Sequence, residues 1–266
     1  MQESSRTSPT ALAENDKVVL RMDDVGAASK QNEQYSKRWR GVGNFLWLKR
    51  LAYFRAWGPY RELTAVEWDG IFQVLSAANA RLTVAVTAAW VESGGTLVPF
   101  PKKFPDEAAK LREGMNAGLL EIANHGLTHC VLEGGKFPPR AFSSNRRYHR
   151  EFWDWLPEET HIRHIRTSQE ILEGYFQTAI TTLVPPGNVY AKATLRAGKA
   201  HGITTVNCNV REGHALLEGL TVVGNESVIA FHDRELVLFG VDWLRDLLAS
   251  VPAGTRYCFV KELGHD

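Results

Sequence analysis

The residues of this sequence best equipped for chemistry are the adjacent carboxylates Asp23-Asp24, the spaced pair His125 and His129, and a further imidazole at His232. Two imidazoles and one carboxylate can fill three positions around a tetrahedral divalent metal and leave the fourth open to water or substrate. An ion held this way acidifies bound water and polarises a carbonyl oxygen. A second carboxylate can then act as base, and a further histidine can protonate a leaving group. Asp23 and Asp24 can divide the two carboxylate roles, because neighbouring residues at a strand end point in different directions. Each feature alone is weak. With nine histidines in 266 residues, chance supplies about 0.3 His-x-x-x-His pairs. An Asp-Asp pair after a strand is more often a turn or a cap. His161 and His164 also have a spacing that could hold metal, but the plainer expectation for them is a solvated helix start.

Their placement along the chain adds weight. Residues 17–22 form a short β-branched run that stops at Asp23-Asp24 and Gly26. Val66, Ile71, Val74 and Leu75 recur at helical spacing over residues 64–79, behind Thr64 with Glu67 three residues on, which is a capping box. Residues 81–88 read as a strand, 106–117 as a helix, and 119–123 as a strand that stops at Asn124-His125. A helix over 168–178 precedes a strand over 180–184, which Pro185-Pro186-Gly187 ends. Then follow a helix over 192–201, strands over 203–207 and 228–231, a helix over 241–250 and a strand over 256–260. Repeated β–α units imply a parallel sheet, open or closed into a barrel. In such sheets the C-terminal strand ends form one face, and sites lie there. The two carboxylates, the His pair and His232 all follow predicted strands, so they are expected to converge on one mouth.

Two stretches, residues 27–60 and 131–164, are too long for ordinary connections and are rich in aromatic and basic side chains. Their aromatics could be satellite hydrophobic clusters, or could stack on sugar faces while Arg140, Arg146, Arg147 and Arg150 meet an acidic group.

Four segments in order resemble the motifs of a known family. Met22-Asp23-Asp24-Val25-Gly26 is similar to T-F-D-D-G, and His125-Gly126-Leu127-Thr128-His129 to H-[ST]-x-x-H. Val184-Pro185-Pro186-Gly187 is similar to R-x-P-[YFG], and Val228–His232 to the closing L-x-I-x-L-x-H. The family is that of the polysaccharide deacetylases, the NodB-homology domains of carbohydrate esterase family four. The resemblance implies an α/β fold: a distorted, incomplete (β/α) barrel, here one domain over residues 1–266 with two long insertions. It implies Asp24, His125 and His129 as metal ligands, Asp23 as general base and His232 as general acid. The metal would be a divalent ion, Zn2+ first, with Co2+, Ni2+, Mn2+ or Fe2+ able to serve. Pro186, Gly187 and Asn188 would line the substrate groove, with Trp153 and Trp155 as stacking surfaces. The implied reaction is hydrolysis of an N-acyl group, acetyl or formyl, from an amino sugar.

Three departures stand out. Val184 occupies the place of an arginine that orients the base, a role for which Arg21 or a basic residue of the long stretches is available. Gly126 stands where Ser or Thr is usual. A motif with Asp and Trp is not recognisable around residues 206–210. These point to a divergent member whose substrate is not chitin or peptidoglycan. They also leave room for an inactive glycan-binding protein, or for a hydrolase of another C–N amide bond.

Composition narrows the field. Thirty-one basic against thirty acidic side chains give a net charge of +1, which excludes a general nucleic-acid binder. Three cysteines exclude a disulfide framework and a Cys-rich zinc site, so His and Asp must hold any metal. No run of apolar residues is long enough for membrane insertion, and residues 1–17 carry no apolar stretch of signal-peptide length. The expectation is therefore a cytoplasmic protein acting on a carbohydrate, an activated or a lipid-linked sugar, as in lipopolysaccharide, O-antigen or other surface polysaccharide biosynthesis. Oligomeric state leaves no trace in the sequence.

Overall fold

The computed structural model describes residues 17–32, 61–92, 94–132, 150–208 and 215–263. Most of the first long stretch, residues 33–60, and half of the second, residues 133–149, lie outside the described residues, as do Arg140, Arg146 and Arg147.

In chain order the elements are β1 (Lys17–Val25), α1 (Ala65–Ala77), β2 (Leu82–Val86), β3 (Ala89–Val91), β4 (Leu97–Pro99), α2 (Phe100–Lys103), α3 (Pro105–Asn116) and β5 (Leu120–Asn124). Then come α4 (Glu158–Phe176), β6 (Thr182–Leu183), α5 (Lys192–Ala200), β7 (Thr205–Asn207), β8 (Ala215–Leu217) and β9 (Leu220–Val223). The described chain closes with β10 (Val228–His232), α6 (Asp233–Phe239), α7 (Val241–Ala249) and β11 (Arg256–Cys258). Short 3-10 turns follow β1, β6 and β11, at Ala28–Asn32, Pro186–Asn188 and Val260–Glu262.

One sheet runs β10-β1-β2-β5-β6-β7-β9-β8, with β11 also paired to β1, and every pairing in it is parallel except β8 with β9. The sheet curls into an incomplete (β/α) barrel, the expected fold class. A single side chain demonstrates the curl. Arg21 on β1 donates from Nη1 to Asn207 Oδ1 on β7 at 2.5 Å, although three strands lie between them in the sheet. Only a strongly bent sheet brings those strands face to face.

The two sheet faces differ in chemistry. Leu20, Met22, Leu82, Val84, Val86, Leu120 and Ile122 point out to the helices and form the main core with Trp68, Ile71, Phe72, Leu75 and Leu111. Alternate residues face the barrel interior, and several are polar. Glu121 there accepts from Thr83 Oγ1 at 2.7 Å and Thr182 Oγ1 at 2.5 Å. Burial pushes the Glu121 carboxyl up, against the pull of those two hydroxyls.

Local signals account for the helices. The capping box of α1 is formed: Glu67 N donates to Thr64 Oγ1 at 3.3 Å, and Thr64 N donates back to Glu67 Oε2 at 2.8 Å. Arg61 adds two 2.7 Å bonds to the same carboxylate. Helix α4 begins at Glu158, ten residues before the expected start at 168. Its buried stripe, His161, His164, Ile165, Ser168, Gln169, Leu172 and Phe176, is half polar, so an apolar period could not reveal its first turns. His161 and His164 are correspondingly buried, at 1% and 7% exposure, and are not a solvated helix start. The hairpin of β3 with β4 and the helix α6 likewise go beyond the elements expected from the sequence. All three cysteines are buried, and none is joined in a disulfide. Among the described residues no helix is long and apolar enough to cross a membrane.

Candidate active site

The five residues singled out for chemistry meet at the C-terminal rim of the sheet. β1 delivers Asp23 and Asp24. The strand shifts register between Met22 and Val25, where Asp24 takes a left-handed φ of 72°. That irregularity gives the two carboxylates different directions. Asp23 lies level with His232 across the β1–β10 ladder. The loop leaving β5 supplies His125 and His129.

Asp24, His125 and His129 each offer a ligand atom, and these atoms lie within 4.8 Å of one another, all three residues being buried. Asp24 Oδ1 is 3.4 Å from His125 Nε2 and 3.0 Å from His129 Nε2. Burial alone would raise the Asp24 carboxyl, but His232 and His129 beside it outweigh burial and hold it well below the usual carboxylate range.

His125 tests whether a metal fits. Its Nδ1 lies 2.6 Å from the Val184 carbonyl oxygen, which can only accept, so Nδ1 carries the proton. In the neutral ring Nε2 is then a bare acceptor. It is buried without a hydrogen-bond partner and faces the Asp24 carboxylate. Two acceptors turned toward each other in a buried place suit a cation. His129 Nδ1 is held by Ser29 Oγ at 2.8 Å. Each histidine is thus oriented through its far nitrogen, the usual arrangement for metal-binding imidazoles.

His232 stands across from this cluster, its Nε2 3.9 Å from Asp24 Oδ2 and its Nδ1 3.6 Å from Glu235 Oε2. Burial works to lower it, but Asp24 and Glu235 outweigh burial and raise it to about 9. Arg234 Nη1 lies 4.0 Å from Asp24 Oδ2. Behind α6, Lys30 bonds Asp233 Oδ2 at 2.5 Å and ties the turn after β1 to the helix that follows His232.

Asp23 is bound by an arginine of its own strand. Arg21, on the same strand, donates from Nε to Asp23 Oδ1 at 2.9 Å and from Nη2 to Oδ2 at 2.8 Å. The guanidinium is in turn fixed by Asn207 Oδ1 and by Asn225 Oδ1 at 3.2 Å. Val184 meanwhile packs against Ala85 and Ala123 and contributes only its carbonyl to the site.

Of the expected groove residues, Pro186 is buried while Gly187 and Asn188 are exposed on the turn after β6. The Arg150 side chain packs over Gly187 and places its guanidinium 5.7 Å from the Trp153 ring centre. Trp153 is half-buried and Trp155 is 45% exposed. His161 and His164 take no part in the cluster: His161 Nδ1 pairs with Thr194 Oγ1 at 2.9 Å, and His164 Nδ1 with Glu151 Oε1 at 2.5 Å. Ser29, Glu151, Asn207 and Asn225 belong to the site's surroundings and carry no signal in the sequence. None sits in a motif, and all reach the site over long sequence separations.

A curled, parallel α/β sheet with an Asp-His-His cluster at its C-terminal rim defines a class of hydrolase-like protein. The polysaccharide deacetylase family model matches residues 62–206, more than half of the chain, and the chain belongs to that family. The match includes His125, His129 and the 186–188 turn, whereas the fold adds Asp23, Asp24 and His232. Comparison with curated proteins returns no sequence match. Among solved structures, the chain is similar to a CE4 family pseudoenzyme from Bacillus anthracis, with a TM-score of 0.47 and 10% identity over 76% of this chain and 61% of that one. A family 4 carbohydrate esterase from Streptomyces lividans gives 0.46 and 13%, covering 93% of both chains. A 4-alpha-glucanotransferase from Thermococcus litoralis gives 0.50 and 12%, over 94% of this chain and 40% of that one. The chain therefore spans about three fifths of the length of the Bacillus protein.

Proposed function

We propose that this protein is a metal-dependent hydrolase that removes an N-acyl group, acetyl or formyl, from an amino sugar of a surface glycan or glycan precursor. In this reading residues 1–266 form one deacetylase-like domain, with insertions at 27–60 and 131–164. The observation that carries it is the bare His125 Nε2 facing Asp24 beside a carboxylate, Asp23, that Arg21 grips separately.

Asp24, His125 and His129 would hold the divalent ion, Zn2+ or a similar metal, which when bound acidifies water and polarises the acyl carbonyl. Asp23 takes the proton from the attacking water, with Arg21 keeping both carboxylate oxygens in place. His232 delivers a proton to the departing amine nitrogen. The C–N bond breaks, and a carboxylic acid and a free amine leave. The turn Pro186–Asn188 lines the sugar site, and Trp153 and Trp155 offer aromatic faces. Arg150 between them suits an acidic substituent.

The Arg21 clamp favours an active enzyme over an inactive glycan-binding protein, because it supplies the orientation that Val184 cannot. The deciding experiment is release of acetate or formate from a panel of N-acyl amino sugars by metal-loaded protein. Other C–N amides serve as controls. Acid release that stops on substituting Asp23 supports the reading. Metal-loaded, folded protein that turns over none of the sugars overturns it.

A further inference from the structure

Gly126 departs from the family's second motif, and the structure places another group where a side chain at 126 would have to go. A Cβ on Gly126 would lie 2.2 Å from Glu151 Oε2 and 3.0 Å from its Cδ, and the backbone there has a φ of +81°. Serine or threonine at 126 would force the Glu151 carboxylate out of its present place. Glu151 is buried, at 1% exposure, and comes from within the second long stretch.

A buried carboxylate is costly unless hydrogen bonds surround it. Glu151 has four donors. Oε1 accepts from Leu127 N at 3.0 Å and from His164 Nδ1 at 2.5 Å. Oε2 accepts from Thr128 N at 3.2 Å and His129 N at 2.9 Å. Three consecutive amides of the loop between the two histidines thus point at one side chain. His129 itself holds a left-handed φ of 63°, a conformation that a residue with a Cβ keeps only when its surroundings impose it. Helix α4 backs the arrangement twice, through His164 and through Asn124. Asn124 Oδ1 accepts from Gly126 N at 2.8 Å, and Nδ2 donates to Ser168 Oγ at 2.7 Å and Gln169 Oε1 at 2.8 Å.

We propose that Glu151, backed by His164, is the positioning residue that sets His129 and through it the affinity of the Asp24–His125–His129 cluster for a divalent metal. It occupies the space opened by glycine at 126. The inference rests on the metal-site reading above. It also assigns work to the second insertion, which supplies a carboxylate that clamps the histidine loop from behind.

The test is Glu151→Gln in the full chain. Whichever way its amide turns, the NH2 group faces at least one backbone N–H donor, so the charge and at least one hydrogen bond to the loop are lost while volume is kept. Zn2+ and Co2+ affinities are measured by competition with a chromophoric chelator, the Co2+ absorption spectrum is recorded, and circular dichroism checks the metal-free fold. The expected result is an unchanged fold, an altered Co2+ spectrum and a loss in affinity of about 10–100-fold. A folded Glu151→Gln protein with wild-type affinity and spectrum overturns the inference. Should Glu151→Gln fail to fold, His164→Ala decides. It removes one donor and is expected to weaken metal binding about fivefold; folded protein with wild-type affinity again overturns the inference. Wild-type protein that binds neither ion overturns the metal-site reading itself. Wild-type binding matched by the variant overturns only the role of Glu151.

Discussion

Replacing Arg21 with methionine removes the guanidinium and keeps a side chain of similar length in the barrel interior. Four hydrogen bonds disappear, two to Asp23 and one each to Asn207 and Asn225. Arg21 is only 2% exposed, so water cannot take over these bonds. Removing one partner of a buried ion pair costs about 3–5 kcal/mol, because the other charge stays buried and unpaired. Asp23 loses the fork that fixes both of its oxygens. A base displaced by about 1 Å can lose about 10²-fold in rate. Being buried behind Asp23, Arg21 does not reach the sugar, so kcat is expected to fall about 10²-fold with KM little changed. Urea unfolding gives the stability term, acid release from an N-acetyl amino sugar gives kcat and KM, and metal analysis checks that the cluster stays loaded. Arg21→Lys keeps the charge but not the bidentate fork, and should fall between the two. A folded Arg21→Met enzyme with wild-type kcat would falsify the clamp. A stability loss well under 1 kcal/mol would show that the pair was never effectively desolvated.

Asp23→Asn should lower kcat by about 10²–10⁴-fold while leaving metal content unchanged; deacylation at the wild-type rate removes Asp23 as base. His232→Ala should slow amides most and spare substrates with good leaving groups, and equal losses on both would argue against proton donation by His232. Exhaustive chelation should abolish acid release and lower Tm, with recovery on adding Zn2+ back to folded protein; undiminished turnover after chelation contradicts the metal scheme. Thr64→Ala should cost about 1 kcal/mol through its cap. Arg61, with Thr64, depresses the Glu67 carboxyl from 4.5 to about 2. Its contribution is therefore complete above about pH 4.5 and fades as the pH falls to about 2, so the Tm gap between wild type and Glu67→Gln should close over that range. A gap that holds constant refutes the assignment.

Much of the site is legible in the order of residues alone. The β–α order, the capping box at Thr64 and the strand-end positions of Asp23, Asp24, His125, His129 and His232 are all local features. Turn residues, helical period and motif spacing report on neighbours in the chain, and neighbours are enough to fix where a strand stops. The sequence also offers Arg21 as one of several candidates for the missing arginine but holds no means of choosing among them. The curl of the sheet sets β7 opposite β1 and lets Asn207 and Asn225 anchor the Arg21 guanidinium while it grips Asp23.

Glu151, His161 and His164 show the limit most clearly. In the sequence His161 and His164 are polar residues at helical spacing, with nothing to separate a solvated turn from a buried one. The fold buries both, one against Thr194 and the other against a carboxylate that no motif contains. Gly126 reads as a departure from its motif, yet its missing side chain is the space that Glu151 fills. The sequence by itself determined where most of the β–α units lie and which strand ends carry the carboxylates and histidines, since those depend on short-range periodicity and capping. The tertiary structure alone decided which polar groups share a buried space. That depends on contacts between residues 13 to 204 positions apart, and no local pattern encodes them.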